Sequence, residues 1–179
     1  MRCFIAIDLP QEVMKEVINI QQNLKSQDLF QGSYPKQESI HITLKFLGEL
    51  NSEKVEKIKE ILRKIHSKKF DATLGRAGIF DTKFPTVFWI GIISQKLHML
   101  QQQIEESLKE IVSKEKRDYT GHITLAKIKR FSQRQKLLDY PNKIKIKNIS
   151  FKILSFSLKE SRLTSKGRIH STLEQFTLN

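Results

Sequence analysis

The tetrapeptide His-Ile-Thr-Leu occurs twice, at 41–44 and at 122–125, in a chain that holds five histidines in 179 residues. In extended backbone each copy projects its histidine and threonine from one face and its isoleucine and leucine from the other. The apolar pair would anchor the strand, leaving His41 and Thr43, or His122 and Thr124, for chemistry. Two imidazoles and two hydroxyls around one pocket suit acid/base attack on a phosphodiester. One imidazole takes a proton from the attacking oxygen while the other donates one to the leaving oxygen. The hydroxyls donate hydrogen bonds to the phosphoryl oxygens, where charge accumulates.

A third H-x-T-L, His170-Ser171-Thr172-Leu173, would also place its polar residues on one strand face. The identity of the other two copies selects His41 and His122 as the working pair and leaves His170 outside it. His66 ends a basic helix, where a histidine suits the dipole, and His98 reads as a structural helix residue. With one cysteine and no cluster of histidines and acids at ligand spacing, neither a metal nor another cofactor is expected.

The elements that must position these residues follow from periodicity. Residues 2–9 read as a buried strand, and Pro10 opens a helix with Val13, Val17, Ile20 and Leu24 on one stripe. After a turn at 32–35, residues 39–47 form the first motif strand, ended by Gly48. Asn51 or Ser52 caps a helix bearing Val55, Ile58, Ile61, Leu62 and Ile65. Residues 70–80 and 86–93 read as strands joined across 81–85, the second rich in β-branched and aromatic residues. A long helix at 95–114, the second motif strand at 120–128 and a short helix at 132–139 follow. Two alternating stretches, 144–158 and 168–178, close the chain around a loop at 164–167. The pattern suggests an α+β fold of two half-lobes, residues 1–179 forming one domain.

Lys and Arg number 32 against 19 Asp and Glu, a net charge of +13 spread along the whole chain, which favours a globular binder of polyanions. Cys3 lies in an apolar run and cannot form an internal disulfide, which fits a reducing cytoplasm. There is no leader-like amino terminus and no apolar stretch of membrane-spanning length, so a cytoplasmic protein without a membrane partner is expected.

On these residues the chain resembles the two-histidine (2H) phosphoesterases, in particular their RNA 2′,3′-cyclic phosphodiesterase branch, also called 2′-5′ RNA ligase-like. The resemblance runs through the opening Met1-Arg2-Cys3-Phe4-Ile5-Ala6-Ile7-Asp8-Leu9-Pro10, the block from His41 to Glu49, the strand Val87-Phe88-Trp89-Ile90-Gly91 and the block from Gly121 to Lys127. It implies two pseudo-symmetric lobes of antiparallel sheet, with helices outside and a central cleft lined by both motifs. It implies metal-free opening of a terminal 2′,3′-cyclic phosphate to a 2′-phosphate. His41 would be the general acid and His122 the general base, with Thr43 and Thr124 on the phosphate. The expected partners are RNA ends bearing 2′,3′-cyclic phosphate, tRNA fragments among them, and the expected state is a monomer.

Two positions depart from the family pattern. Gly121 stands where a proline usually precedes the second histidine. Lys127 stands where an arginine is common, which keeps the charge and loses the bidentate fork. Strict alternation puts Lys127 on the face opposite His122, so a phosphate role for it requires a bulge or the strand end. Tyr34 and Phe84 are candidates for stacking on a terminal base. Two rival functions use the same residues: a phosphodiesterase acting on small cyclic nucleotides or 2′-5′ oligonucleotides, and a noncatalytic binder of RNA ends. A broad basic surface argues against the first, and two matched His/Thr pairs argue against the second. Microscopic reversibility also permits 2′-5′ ligation.

Overall fold

The computed structural model describes residues 1–80, 83–114, 117–165 and 167–179. Strand β1 (Arg2–Asp8) leads into helix α1 (Gln11–Ser26), then β2 (Gln31–Ser33) and, after one 3₁₀ turn, the first motif strand β3 (His41–Glu49). Helix α2 (Ser52–Leu62) is capped by Asn51, whose side chain accepts from the Lys54 amide. Strands β4 (Phe70–Phe80) and β5 (Val87–Ile93) precede α3 (Gln95–Leu108), capped by Ser94, and the second motif strand β6 (His122–Arg130). Helix α4 (Arg134–Asp139) and strands β7 (Ser150–Ile153), β8 (Ser155–Thr164) and β9 (Gly167–Thr177) complete the chain.

All strand pairings are antiparallel, in the order β7-β4-β5-β6-β3-β1-β8-β9, with β2 pairing β6. The two expected half-sheets, β3-β1-β8-β9 and β6-β5-β4-β7, are thus one curled sheet, joined where Ile42 pairs with Ile123. That register places His41 toward Thr124 and Thr43 toward His122, so the two motifs meet about a pseudo-twofold axis through the isoleucine pair.

Several expected boundaries shift. The final stretch is broken at exposed Leu154: β7 pairs with β4 in one half, whereas β8 pairs with β1 and β9 in the other. Residues 144–149 lie outside the strands because Tyr140–Lys143 forms a 3₁₀ turn ahead of them. Helix α3 stops at Leu108 rather than 114, with Leu108 fully buried and the chain turning there. The turn expected at 32–35 holds part of β2, and β3 runs through Gly48, whose φ of 73° makes it a bend. Of the loops 81–85 and 164–167, residues 81, 82 and 166 lie outside the described residues.

The motif strands share a local irregularity. Along β1–β3, Ile5 faces Lys45 and Ala6 faces Thr43, leaving Leu44 without a partner; along β5–β6, Phe88 faces Ala126 and Trp89 faces Thr124, leaving Leu125 without one. Each strand therefore bulges at the leucine of HITL, and the side-chain alternation slips by one residue beyond it. The burial patterns of β3 and β6 are identical along their whole length, with Ile42, Leu44, Ile123 and Leu125 in the core.

A bulge leaves backbone groups outside the ladder, and each half supplies partners to the other's motif strand. Gln21 on α1 donates through Nε2 to the Leu125 carbonyl at 3.0 Å, and Tyr119 donates its hydroxyl to the Thr43 carbonyl at 3.1 Å. The residue after the first bulge is Lys45, whose side chain is turned into the core by the slip. Its Nζ donates to Glu105 Oε1 on α3 at 2.7 Å and to the Ser113 carbonyl at 3.2 Å.

Removing one member of a buried ion pair strands the other charge. Glu105→Ala should lower unfolding free energy by about 3–5 kcal/mol in urea titration, while the apolar double replacement Lys45→Met/Glu105→Leu should recover much of that loss. A loss under about 1 kcal/mol in the single variant would show that Lys45 is readily resolvated.

Candidate active site

The polar faces of the two motif strands meet where β3 and β6 pair at Ile42 and Ile123. His41 and Thr43 on β3, and His122 and Thr124 on β6, are half-buried beside fully buried neighbours. His122 Nδ1 is turned back onto the carbonyl two residues earlier, 2.7 Å from the Thr120 oxygen, and the Ser39 backbone, two residues before His41, favours the charged form of that ring in the same sense. With Nδ1–H donated to a carbonyl, the lone pair of the neutral ring is on Nε2, the tautomer that accepts a proton.

The bulge brings Lys127 into this group. Regular alternation would send it to the face opposite His122, but the slip at Leu125 buries Ala126 and exposes Lys127 on the side of His122 and Thr124. The matching position on β3 holds Phe46, which is 62% exposed and packs against Phe4, a ring that also touches His41. The same backbone device thus offers a cation in one half and an aromatic ring in the other.

The two histidines have unlike surroundings. His122 meets Phe80 edge-on, with ring centroids at 4.8 Å, and Trp89 at 6.5 Å. Trp89 lies flat across Gly78, where a Cβ would stand 2.3 Å from the indole, so this position takes only glycine while the indole stays in place. Burial lowers the proton affinity of His122, with the Thr120 carbonyl opposing. His41 instead meets Phe4 at 4.9 Å and His170 at 5.2 Å. Its pKa is pushed down to about 4 by burial first, then by His170 and Lys159, against the pull of Asp8 and the Ser39 carbonyl. Asp8 faces His41 across β1–β3 and accepts from Lys159 Nζ at 2.5 Å.

Of the candidates from sequence, His41, Thr43, His122, Thr124 and Lys127 share this face. Tyr34 stacks on Phe30 at 5.7 Å and packs against the core, with Lys25 over its ring. Phe84 is exposed beside Lys83 in the β4–β5 connection. His98 packs on Tyr119 and so supports the contact to Thr43. Gly121 fits against Leu97, whose side chain a Cβ would approach to 2.7 Å. Among the described residues no three His, Cys, Asp or Glu side chains converge as metal ligands, and no helix is long and apolar enough to cross a membrane. Sequence reading misses Phe4, Phe80, Trp89, Asp8 and Lys159, which look like ordinary strand residues until register places them, and it leaves out His170, which touches His41.

Comparison with known proteins places the chain in a family. The model of the LigT-like phosphoesterases matches residues 7–89. The chain is 30% identical to the RNA 2′,3′-cyclic phosphodiesterase of Methanocaldococcus jannaschii, covering 98% of this chain and 100% of that protein. It is also 30% identical to the enzyme of that name from Thermotoga maritima, covering 97% and 93%. A crystal structure of a Thermus thermophilus protein shares the fold with a TM-score of 0.84 at 23% identity, over 99% of this chain and 98% of that one. Apo LigT of Escherichia coli shares it with a TM-score of 0.79 at 24% identity, over 99% and 97%. The chain therefore belongs to the LigT-like phosphoesterases, the two-histidine family.

Proposed function

We propose that the protein hydrolyses RNA 2′,3′-cyclic phosphate ends to 2′-phosphomonoesters by acid/base catalysis with His41 and His122, without a metal. The carrying observation is the antiparallel meeting of the motifs at Ile42 and Ile123, which sets each histidine toward the threonine of the other strand. A phosphoryl group on this axis has an imidazole on either side and a hydroxyl beside each. Relatives matching along nearly the whole chain bear the name RNA 2′,3′-cyclic phosphodiesterase, and the charge of +13 suits an RNA substrate.

In this reading His122 takes a proton from water as the water oxygen attacks phosphorus. The bond from phosphorus to O3′ breaks, and His41 protonates the departing O3′. Thr43, Thr124 and Lys127 hold the phosphoryl oxygens as charge builds on them. Burial first, and then the positive charge of Lys159, disfavour the His41 imidazolium, and a bound anion favours it, so substrate helps bring this histidine into its acid form. The exposed ring of Phe84 is the candidate for stacking on the terminal base, whereas Tyr34 serves packing.

The reading is tested by incubating the protein with EDTA and an RNA ending in 2′,3′-cyclic phosphate. The expected product is the 2′-phosphate; a 3′-phosphate, or activity that returns only with a divalent metal, would sink it. His41→Ala and His122→Ala should each lower turnover by about two to four orders of magnitude in single-turnover assays, with the fold intact by circular dichroism.

The pH dependence follows from the two depressed histidines. One must be neutral and the other protonated, so kcat/KM should be bell-shaped, with both limbs below the ordinary histidine value of about 6.5. Bound phosphate favours the imidazolium and raises both pKa values, so the kcat optimum should lie at higher pH than that of kcat/KM. Profiles with a cyclic mononucleotide in EDTA read both, and a single alkaline limb would rule out the two-histidine scheme.

A further inference from the structure

Phe4, His41 and His170, from β1, β3 and β9, form a closed triangle of rings. Centroids are 4.9 Å apart for Phe4–His41 and for Phe4–His170, and 5.2 Å for His41–His170. His170 Nδ1 is sealed within this cluster and has no hydrogen-bond partner among the described residues. An unpaired N–H⁺ facing aromatic carbon is costly, whereas a bare lone pair costs less. A neutral ring with its proton on Nε2 is therefore favoured, and in a residue that is only half-buried Nε2–H is the donor left for a ligand.

Positive charge surrounds that donor. Lys159 of β8, Arg168 of β9 and Lys127 of β6 all bear on His170, and Arg168 and Arg2 bear on Lys127. Lys159 is engaged by Asp8, but among the described residues neither Arg168 nor Lys127 has a carboxylate within ion-pairing distance. The corresponding wall around His122 is made of Phe80 and Trp89. The two motif strands are alike in backbone and unlike in surroundings: His41 has His170 and Lys159 beside it, whereas His122 has two aromatic rings, of which the Trp89 indole Nε1 is a buried donor with no partner among the described residues.

We propose that His170 and Arg168 form a second anion subsite, which takes the phosphate on the 5′ side of the terminal nucleotide while the cyclic phosphate occupies the two motifs. The proposal rests on the RNA-end reading above. The cyclic phosphate is already served by four motif side chains about the Ile42–Ile123 axis. His170 stands one ring beyond His41, off that axis, where the next phosphate of a strand leaving along the β8–β9 hairpin would lie. Arg168 can grip a phosphate with two parallel N–H bonds. Arg162 on the same hairpin is occupied by Glu160 at 2.9 Å.

The test compares two cyclic mononucleotides, one with a 5′-hydroxyl and one with a 5′-phosphate, in wild type and three variants. Wild type should show the lower KM for the 5′-phosphorylated substrate. That preference should fall about tenfold in His170→Phe, which keeps the ring and loses the donor, and in Arg168→Gln, whereas Arg162→Gln should keep it. The subsite is overturned if wild type has no preference, if Arg168→Gln and His170→Phe both retain it, or if Arg162→Gln loses as much, which would signal a diffuse field. Failure of wild type to open either nucleotide overturns the parent reading and the subsite with it.

Discussion

A bulge at the leucine of each HITL motif is the constraint on which the site depends. Without it a regular strand would send the residue three places beyond each threonine away from the histidine. With it, β3 and β6 each present three successive residues of one polar face: His41, Thr43 and Phe46 on one side, His122, Thr124 and Lys127 on the other. Such an irregularity exposes backbone groups that need partners. The partners come from the other half of the molecule, through Gln21 to the Leu125 carbonyl and Tyr119 to the Thr43 carbonyl. Each half thus stabilises the distortion of the other, and the histidines are fixed relative to one another although a single residue pair joins their strands.

The same slip explains the buried lysine. Lys45 follows Leu44 into the interior because two adjacent residues face inward at a bulge. Burial of an ammonium requires an acceptor, and α3 supplies Glu105, which is itself braced by Gln101. The corresponding residue of β6 is Ala126, which needs none. Packing that looks like an exception to hydrophobic patterning is a consequence of the geometry that builds the histidine and threonine face.

Pseudo-symmetry of the backbone does not extend to the electrostatics. His122 sits between aromatic rings, while His41 sits among His170, Lys159 and Asp8. Burial disfavours the imidazolium of both rings, but only His41 also feels neighbouring charge, so two chemically identical groups stand in different electrostatic surroundings.

Much of this is legible in the chain. Two identical tetrapeptides mark His41, Thr43, His122 and Thr124, and period-two alternation places Ile42, Leu44, Ile123 and Leu125 in the core, because an identical local pattern imposes an identical local geometry. Helices α1 and α2 follow from their apolar stripes and the Asn51 cap. The bulges are not legible, since they arise from pairing with β1 and β5 rather than from any residue in HITL, and so the side on which Lys127 lies is decided only by the sheet. The break at Leu154 is likewise decided by which neighbours β7 and β8 find, on opposite sides of the molecule. His170 lacks the flanks of the other two motif histidines, yet β9 carries it against His41 from 129 residues away in the chain (170 − 41 = 129). Sequence alone determined which residues could do the chemistry, because their types and spacing are local; the tertiary structure decided how they are paired, charged and aimed, because those properties belong to neighbours that only folding brings together.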